Sequence, residues 1–314
     1  MSLADADLET RAREEGLLRP GAPVVVLLSG GADSVCLLDL AVRISGDVRA
    51  LHVDYGLRDS AADDAAHCAA LCERLGVELS VHRPRRPEGN LQAWARDQRY
   101  LEATRLARDA GAGAGAGADV AAGHTATDQV ETVLYRLAAS PGRRALLGMR
   151  PRDGRLVRPL LGVWRAGTEA WCAEHRLPWR EDPTNASGAY ARNRARHGLV
   201  PALRELHPAA EQNVLRTLEL LRDEAEVLDA AVSAVLAEAG APPSLEHLRA
   251  LPPALARLAV QQLADAAGGP AVSHRTAEIL GLAEHGALDV GGGLRARIEA
   301  GRLEFVATPP RVRA

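Results

Sequence analysis

The chain has 314 residues, enough for one large domain and a smaller second one, and its 47% hydrophobic and 25% charged residues read as a globular chain with ample core. A net charge of −3 excludes a uniformly basic nucleic-acid binder, although averages hide local patches. All 38 basic residues are arginine, so the GxxxxGK[ST] loop of the common nucleotide triphosphatases cannot exist here.

Taken in order, the opening MSLADADLETRAREEGLL is charged and predicted helical, with no run resembling a signal peptide or a membrane span. The expectation is a cytoplasmic protein with no membrane partner. Aliphatic runs then alternate with helical patterns. Strands are expected at Val24–Leu28, Val48–Val53, Val77–His82 and Asp119–Ala122, and helices at Ser34–Ile44, Ser60–Leu75, Leu91–Asp109 and Thr127–Ala139. This alternation predicts the α/β class: a parallel sheet with helices on both faces. Ligands of such sheets sit at the carboxyl ends of the strands. Three polar clusters fall there: Ser29–Ser34, His52–Arg58 and Gly123–Glu131.

The AGAGAGAGA stretch from Ala110 to Ala118 reads as a connector, and Arg155 to Pro201 as irregular. Eight arginines lie between Arg136 and Arg165 against one acid, Asp153, a density suited either to phosphates or to a solvated basic face. Beyond it, Val214, Leu218, Leu221, Ala225, Leu228, Val232 and Val235 alternate spacings of four and three, one stripe of a long amphipathic helix closed by Gly240. Two more helical segments and a hairpin, LRARIEAGRLEFVA, complete a second, mainly helical domain, giving domains 1–205 and 206–314. Cys36, Cys68, Cys72 and Cys172 form no CxxC, so reduced structural thiols are expected rather than a metal or redox site.

The junction Ser29-Gly30-Gly31-Ala32-Asp33-Ser34 carries the sharpest signal. Glycines allow a ligand close to the backbone, and the N–H groups opening the next helix point at an anion, with Ser29 and Ser34 as further donors. Asp33 should repel phosphate, which makes sense if a Mg²⁺ ion bridges the two. The plainer reading is a helix cap by Asp33 or Ser34. Asp128 and Glu131, three apart, share one helix face, where they bind metal or an ammonium group, or merely cap and decorate the helix.

The loop resembles that of the N-type ATP pyrophosphatases. LHVDYGLR, GNLQAWARDQRY, GHTATDQVETVLYRL and WREDPTNASGAYARNRARHGLVPAL, in this order, resemble the tRNA(Ile)-lysidine synthetase family, over about Val24 to Leu203, in its short form. The resemblance implies ATP and Mg²⁺, a tRNA(Ile) with a CAU anticodon, and free L-lysine. The wobble cytidine is adenylated at its 2-carbonyl oxygen with release of pyrophosphate; the lysine ε-amine then displaces AMP to leave lysidine. It also makes a homodimer unsurprising.

Carried onto this chain, Ser29, Gly30, Gly31, Ala32, Asp33, Ser34, His52, Asp54, Gly123 and His124 are the ATP-binding candidates, His52 being equally a satisfied core histidine. Asp33, Asp128, Glu131, Arg96 and Arg99 are the catalytic candidates, Asp33 and Asp128 also the metal candidates. Asp182, Asn185, Arg192, Asn193, Arg194 and Arg196 are the candidates for tRNA or substrate binding, and Trp164, Trp171 and Trp179 for stacking, the last two more naturally core. The family usually has His where this chain has Tyr55 and Asp where it has Thr127, which puts secondary roles there in doubt. A tRNA thiolation enzyme, an amide-forming synthetase and a non-catalytic ATP sensor are the alternatives on this fold. The first needs differently spaced cysteines, the second leaves the RNRAR segment unexplained, and the third leaves the paired acids idle.

Overall fold

The run Val24–Leu27 forms β1 and is buried along its whole length, as an interior strand of a parallel sheet must be. A computed structural model describes residues 5–56, 61–85, 87, 91–110, 117–139, 142–181 and 191–309. After α1 (Asp5–Glu14) and β1, the chain continues through α2 (Ala32–Ile44), β2 (Val48–Val53), α3 (Ala61–Leu75), β3 (Glu78–His82), α4 (Leu91–Ala110), β4 (Asp119–Ala121) and α5 (Ala126–Ala139). Every strand and helix expected from Val24 to Ala139 is present within two residues of its expected ends, whereas the opening helix stops at Glu14 and the rest of that stretch, to Leu18, is turn.

The sheet order is β3-β2-β1-β4-β6-β5, where β5 is Arg152–Asp153 and β6 Leu156–Val157. All neighbours pair in parallel except β5, which joins β6 antiparallel at the edge. The order reverses between β1 and β4, so a crevice opens beyond their carboxyl ends. Strand β6 lies in the stretch read as irregular, and β5 just ahead of it. They are two residues each, too short to show a period, and exist because β6 pairs with β4.

Alternation along the strands builds a core on each face. Val24, Val26, Ala50 and Ala121 pack with Leu37, Leu38 and Leu40 of α2, Cys68 and Leu71 of α3, and Trp171 and Cys172. Val25, Leu27, Leu51 and Val120 face Ala103, Leu106 and Ala107 of α4. Helix α2 is buried almost all round because α7 (Arg165–Glu174) covers its outer side. Trp171 is therefore core, its indole N–H donating to Asp39 at 3.0 Å, and Trp179 packs partly buried against the same cluster. The edge is clamped by Asp119, which accepts both arms of Arg152 at 2.9 and 3.0 Å.

Between β4 and the long helix lie α6 (Arg143–Leu146), α7, α8 (Ala191–Arg194), a π-helical turn at Ala195–Leu199 and α9 (Val200–Leu206). Helix α10 runs from Ala210 to Ala239 and buries Leu218, Ala225 and Val232 of the expected stripe. The chain divides into compact units 1–219 and 220–314, a division that falls inside α10 rather than at the expected 205/206. The second unit adds α11 (Leu245–Ala250), α12 (Pro253–Ala266), α13 (Thr276–Leu280) and the strands β7 (Ala287–Gly291), β8 (Leu294–Glu299) and β9 (Arg302–Ala307). The expected hairpin is β8–β9, and β7 extends it to a three-stranded antiparallel sheet. No helix among the described residues is long and apolar enough to cross a membrane.

All four cysteines are buried and unpaired. Burial pushes Cys68 and Cys172 up to about 12, Cys72 up to about 11 and Cys36 well above its ordinary value. The reactive thiolate is thus disfavoured as well as shielded, and reactivity should rise only as pH climbs toward the raised values. At about pH 8 a disulfide reagent such as DTNB should leave the native thiols untouched for hours and titrate all four in denaturant. Fast native reaction of two or more would show that α2, α3 or α7 opens readily.

Candidate active site

The loop between β1 and α2 is shaped by its first glycine. Gly30 has φ +88°, a conformation that L side chains rarely adopt. Gly31 has an ordinary extended conformation, φ −79° and ψ 159°, and a Cβ there would meet nothing closer than 3.7 Å. Its missing side chain leaves open backbone at the N-terminus of α2, where no side chain caps the helix. Neither Asp33 nor Ser34 is the cap. Ser34 Oγ instead donates to the Gly31 carbonyl at 2.9 Å, accepts from the Ser29 N–H at 3.2 Å and meets Ser29 Oγ at 3.1 Å, which holds the loop closed on itself. Ala32 is buried beneath it.

The β4–α5 turn meets this loop backbone to backbone. A Cβ on Gly123 would lie 2.9 Å from the Asp33 carbonyl oxygen and 3.2 Å from the Ser34 nitrogen, so only glycine lets the two strand ends approach this closely. His124 follows, its N–H on the Ala122 carbonyl at 2.9 Å. Helix α5 then opens with a reciprocal cap. Asp128 Oδ2 accepts from Thr125 N at 2.8 Å and Thr125 Oγ1 at 2.9 Å, while Asp128 N donates back to Thr125 Oγ1 at 3.4 Å. Capping is thus one of two tasks of Asp128, and it aims Oδ1 at the arginines.

Three carboxylates and two guanidiniums converge here. Arg165 Nη2 lies 2.8 Å from Asp33 Oδ2 and 3.7 Å from Asp128 Oδ1. Thr168, fully buried one turn along α7, donates to Asp33 Oδ1 at 2.5 Å. Arg196, on the π-helical turn, forks onto Glu131 at 2.5 and 3.1 Å and lies 3.7 Å from Asp128 Oδ1. Glu131 has no solvent exposure, which a carboxylate tolerates only with a paired cation. Burial raises Asp33 above the ordinary carboxylate range, against the pull of Arg165 and of the Thr168 bond; the Asp128 charge adds to the rise.

Asp33 and Asp128 therefore face one shared cationic position with hard oxygen donors. This fits Mg²⁺, which takes one or two carboxylates and completes its shell with phosphate oxygens and water. Among the described residues no group of three or more His, Cys, Asp or Glu is arranged to hold a metal alone.

Other candidates lie differently. His52 is 5% exposed, and its Nδ1–H donates to the Leu28 carbonyl at 2.9 Å with Cys68 Sγ 3.4 Å away. Its Nδ1 side is thus satisfied in the core, propping the strand end beneath the loop. Asp54 Oδ1 accepts from Gly56 N at 3.0 Å and Oδ2 pairs with Arg83 at 3.1 Å, closing the turn after β2. On α4, Arg99 Nε donates to the Tyr55 hydroxyl at 3.0 Å, Tyr55 donates to the Ala95 carbonyl at 3.0 Å, and Trp94 meets Tyr55 edge-on. Arg96 lies over Tyr100. Tyr55, in the family's usual His position, thus ties the β2 turn to α4. Thr127 accepts from the first N–H of α7, on Arg165, at 3.3 Å.

Arg196, expected on an RNA surface, is turned inward to Glu131, whereas Arg194 is exposed and Asn193 half-buried. Arg192 is placed on α8 by its backbone, and its side chain lies outside the described residues, as do Asp182 and Asn185. Sequence reading missed Arg165 and Thr168 as site residues. Arg165 stood in the arginine-rich stretch, and the one local sign was a cation at a helix N-terminus, where the dipole disfavours it unless an acid is near.

Replacing Gly123 by Ala should force the Asp33–Ser34 backbone away and weaken ATP binding about tenfold or more, at a stability cost of roughly 1–3 kcal/mol. Nucleotide titration calorimetry beside a thermal melt checks this; unchanged affinity would mean that the contact does not shape the loop.

Comparison with known proteins agrees with this geometry. The PP-loop domain family matches residues 7–203. A tRNA(Ile)-lysidine synthase of Symbiobacterium thermophilum is 35% identical over 95% of this chain and 68% of its own length. That of Gloeobacter violaceus is 38% identical over 73% of this chain and 72% of its own. A third, from Solibacter usitatus, is 40% identical over 65% of this chain, which spans 46% of that longer relative. Among solved structures, a U34-tRNA thiolase of Methanococcus maripaludis superposes with a TM-score of 0.55 at 18% identity, covering 69% of this chain and 78% of its own, a likeness of fold. By its loop, its converging acids and these relatives, the chain belongs to the PP-loop proteins, in the tRNA(Ile)-lysidine synthase family.

Proposed function

We propose that the protein uses ATP to adenylate the 2-carbonyl oxygen of the wobble cytidine of a tRNA(Ile) bearing CAU, releasing pyrophosphate, and that the ε-amine of free L-lysine then attacks that C2 carbon, forming the C–N bond and displacing AMP with the oxygen. The observation that carries this reading is the meeting of Asp33, Asp128 and Glu131 with Arg165 and Arg196 beside an open helix N-terminus at the sheet's switch point. The thiolation alternative finds no support in the cysteines, which are buried core thiols.

The open N–H groups of α2 and the hydroxyls of Ser29 and Ser34 suit the polyphosphate. Asp33 and Asp128 would hold Mg²⁺, which when bound neutralises charge on the phosphates. Asp128 is the carboxylate that would meet an incoming ammonium, with Glu131 buried behind it and tied to Arg196. An amine must shed a proton to attack, and Asp128 is the nearby acceptor in the site. Arg96 and Arg99 on α4 and Arg194 on α8 are the cations offered to nucleotide or tRNA phosphate. Such a reaction belongs in the cytoplasm, where charged and uncharged tRNA circulate.

The test is labelled-lysine incorporation with ATP and Mg²⁺ into an unmodified tRNA(Ile) bearing CAU, beside an initiator tRNA(Met) with the same anticodon. Lysine fixed to the first alone is the expected result; ATP turnover without lysine transfer would refute the substrate assignment. Asp33→Asn should abolish AMP formation in protein that a thermal melt shows to be folded, at a lowered midpoint because Arg165 loses its nearest carboxylate. Arg194→Ala should raise the KM for tRNA several-fold and lower the slope of binding against log salt by about one contact's worth. A change in lysine KM alone would remove Arg194 from the RNA surface.

A further inference from the structure

Among the described members of the charge cluster, Arg165 has a buried guanidinium nitrogen without a hydrogen bond. Its Nη2 reaches Asp33 and Asp128, yet its Nε is buried with no hydrogen-bond partner. Arg196, by contrast, is fixed by a two-pronged bond to Glu131. A divalent ion added beside Arg165 would set two cations against each other at the same two oxygens, Asp33 Oδ2 and Asp128 Oδ1. Arg165 also opens α7, where the dipole of its own helix repels it, so the two acids are what hold it there.

We propose that Arg165 is a displaceable counter-cation that occupies the shared approach to Asp33 and Asp128, so that a divalent ion enters together with nucleotide and not before it. The inference rests on the reading of these two acids as the Mg²⁺ carboxylates. Arriving phosphate oxygens give the guanidinium a new planar partner, including for its orphan Nε, and the acids are released to the metal. Nucleotide and metal then bind with positive coupling that originates in one side chain. The arrangement also keeps free divalent ions from clamping the acids in an unproductive state.

The experiment uses the full chain and Mn²⁺ as probe, its free concentration read by electron paramagnetic resonance, with and without α,β-methylene-ATP. The parent should bind Mn²⁺ alone weakly and far better with the analogue. Arg165→Gln should bind Mn²⁺ alone about tenfold tighter, the size of a common coupling between sites, and gain less from the analogue. Arg165→Lys, which keeps the charge but not the planar fork, should still bind Mn²⁺ alone as weakly as the parent, and a thermal melt identifies any variant that has not folded. Unchanged or weaker Mn²⁺ binding by folded Arg165→Gln, with Asp33→Asn still removing the Mn²⁺ bound with analogue, overturns the counter-cation role while the metal carboxylates stand. If Asp33→Asn leaves the Mn²⁺ bound with analogue untouched, the metal reading itself falls, and this inference with it.

Discussion

Three carboxylates brought together at the ends of β1 and β4 impose the constraint that organises this molecule: each needs a cation or several donors once water is removed. Glu131, wholly buried, is answered by both prongs of Arg196. Asp33 is answered by Arg165 and Thr168. Those partners come from α7 and from the π-helical turn, far along the chain from α2 and α5. The segment after the core sheet is thereby drawn back onto the strand ends, and the catalytic unit closes through charge as much as through apolar packing.

Positional accuracy at this point comes from backbone contacts rather than long side chains. Gly30 supplies a left-handed turn, and Gly123 supplies the absence of a side chain between two strand ends. The reciprocal Thr125–Asp128 cap then fixes one carboxylate oxygen and points the other. Below the loop, His52 and Cys68 fill the space between β1, β2 and α3. Groups that look chemically active in the sequence act here as supports.

Tyr55 and Thr127, at positions where the family usually has other residues, have local tasks in this chain. Tyr55 joins the turn after β2 to α4 through its hydroxyl, while Thr127 satisfies the first N–H of α7 and so sets where Arg165 stands.

The sequence by itself determined the parallel α/β sheet, because β-branched runs alternating with amphipathic segments have one economical arrangement, and it determined the phosphate loop and the acids Asp33, Asp128 and Glu131. Each of these is written in short-range pattern. Strands β5 and β6, two residues each, show no period and owe their existence to β4. Likewise Arg196 reads as one more cation in an RNA-like segment, and Arg165 as one of eight arginines in a basic stretch. Only the tertiary structure turned both inward, because which guanidinium pairs with which carboxylate depends on elements 65 and 132 residues apart meeting in one crevice. Local pattern decides what a segment becomes; charge compensation between distant segments decides what its side chains do.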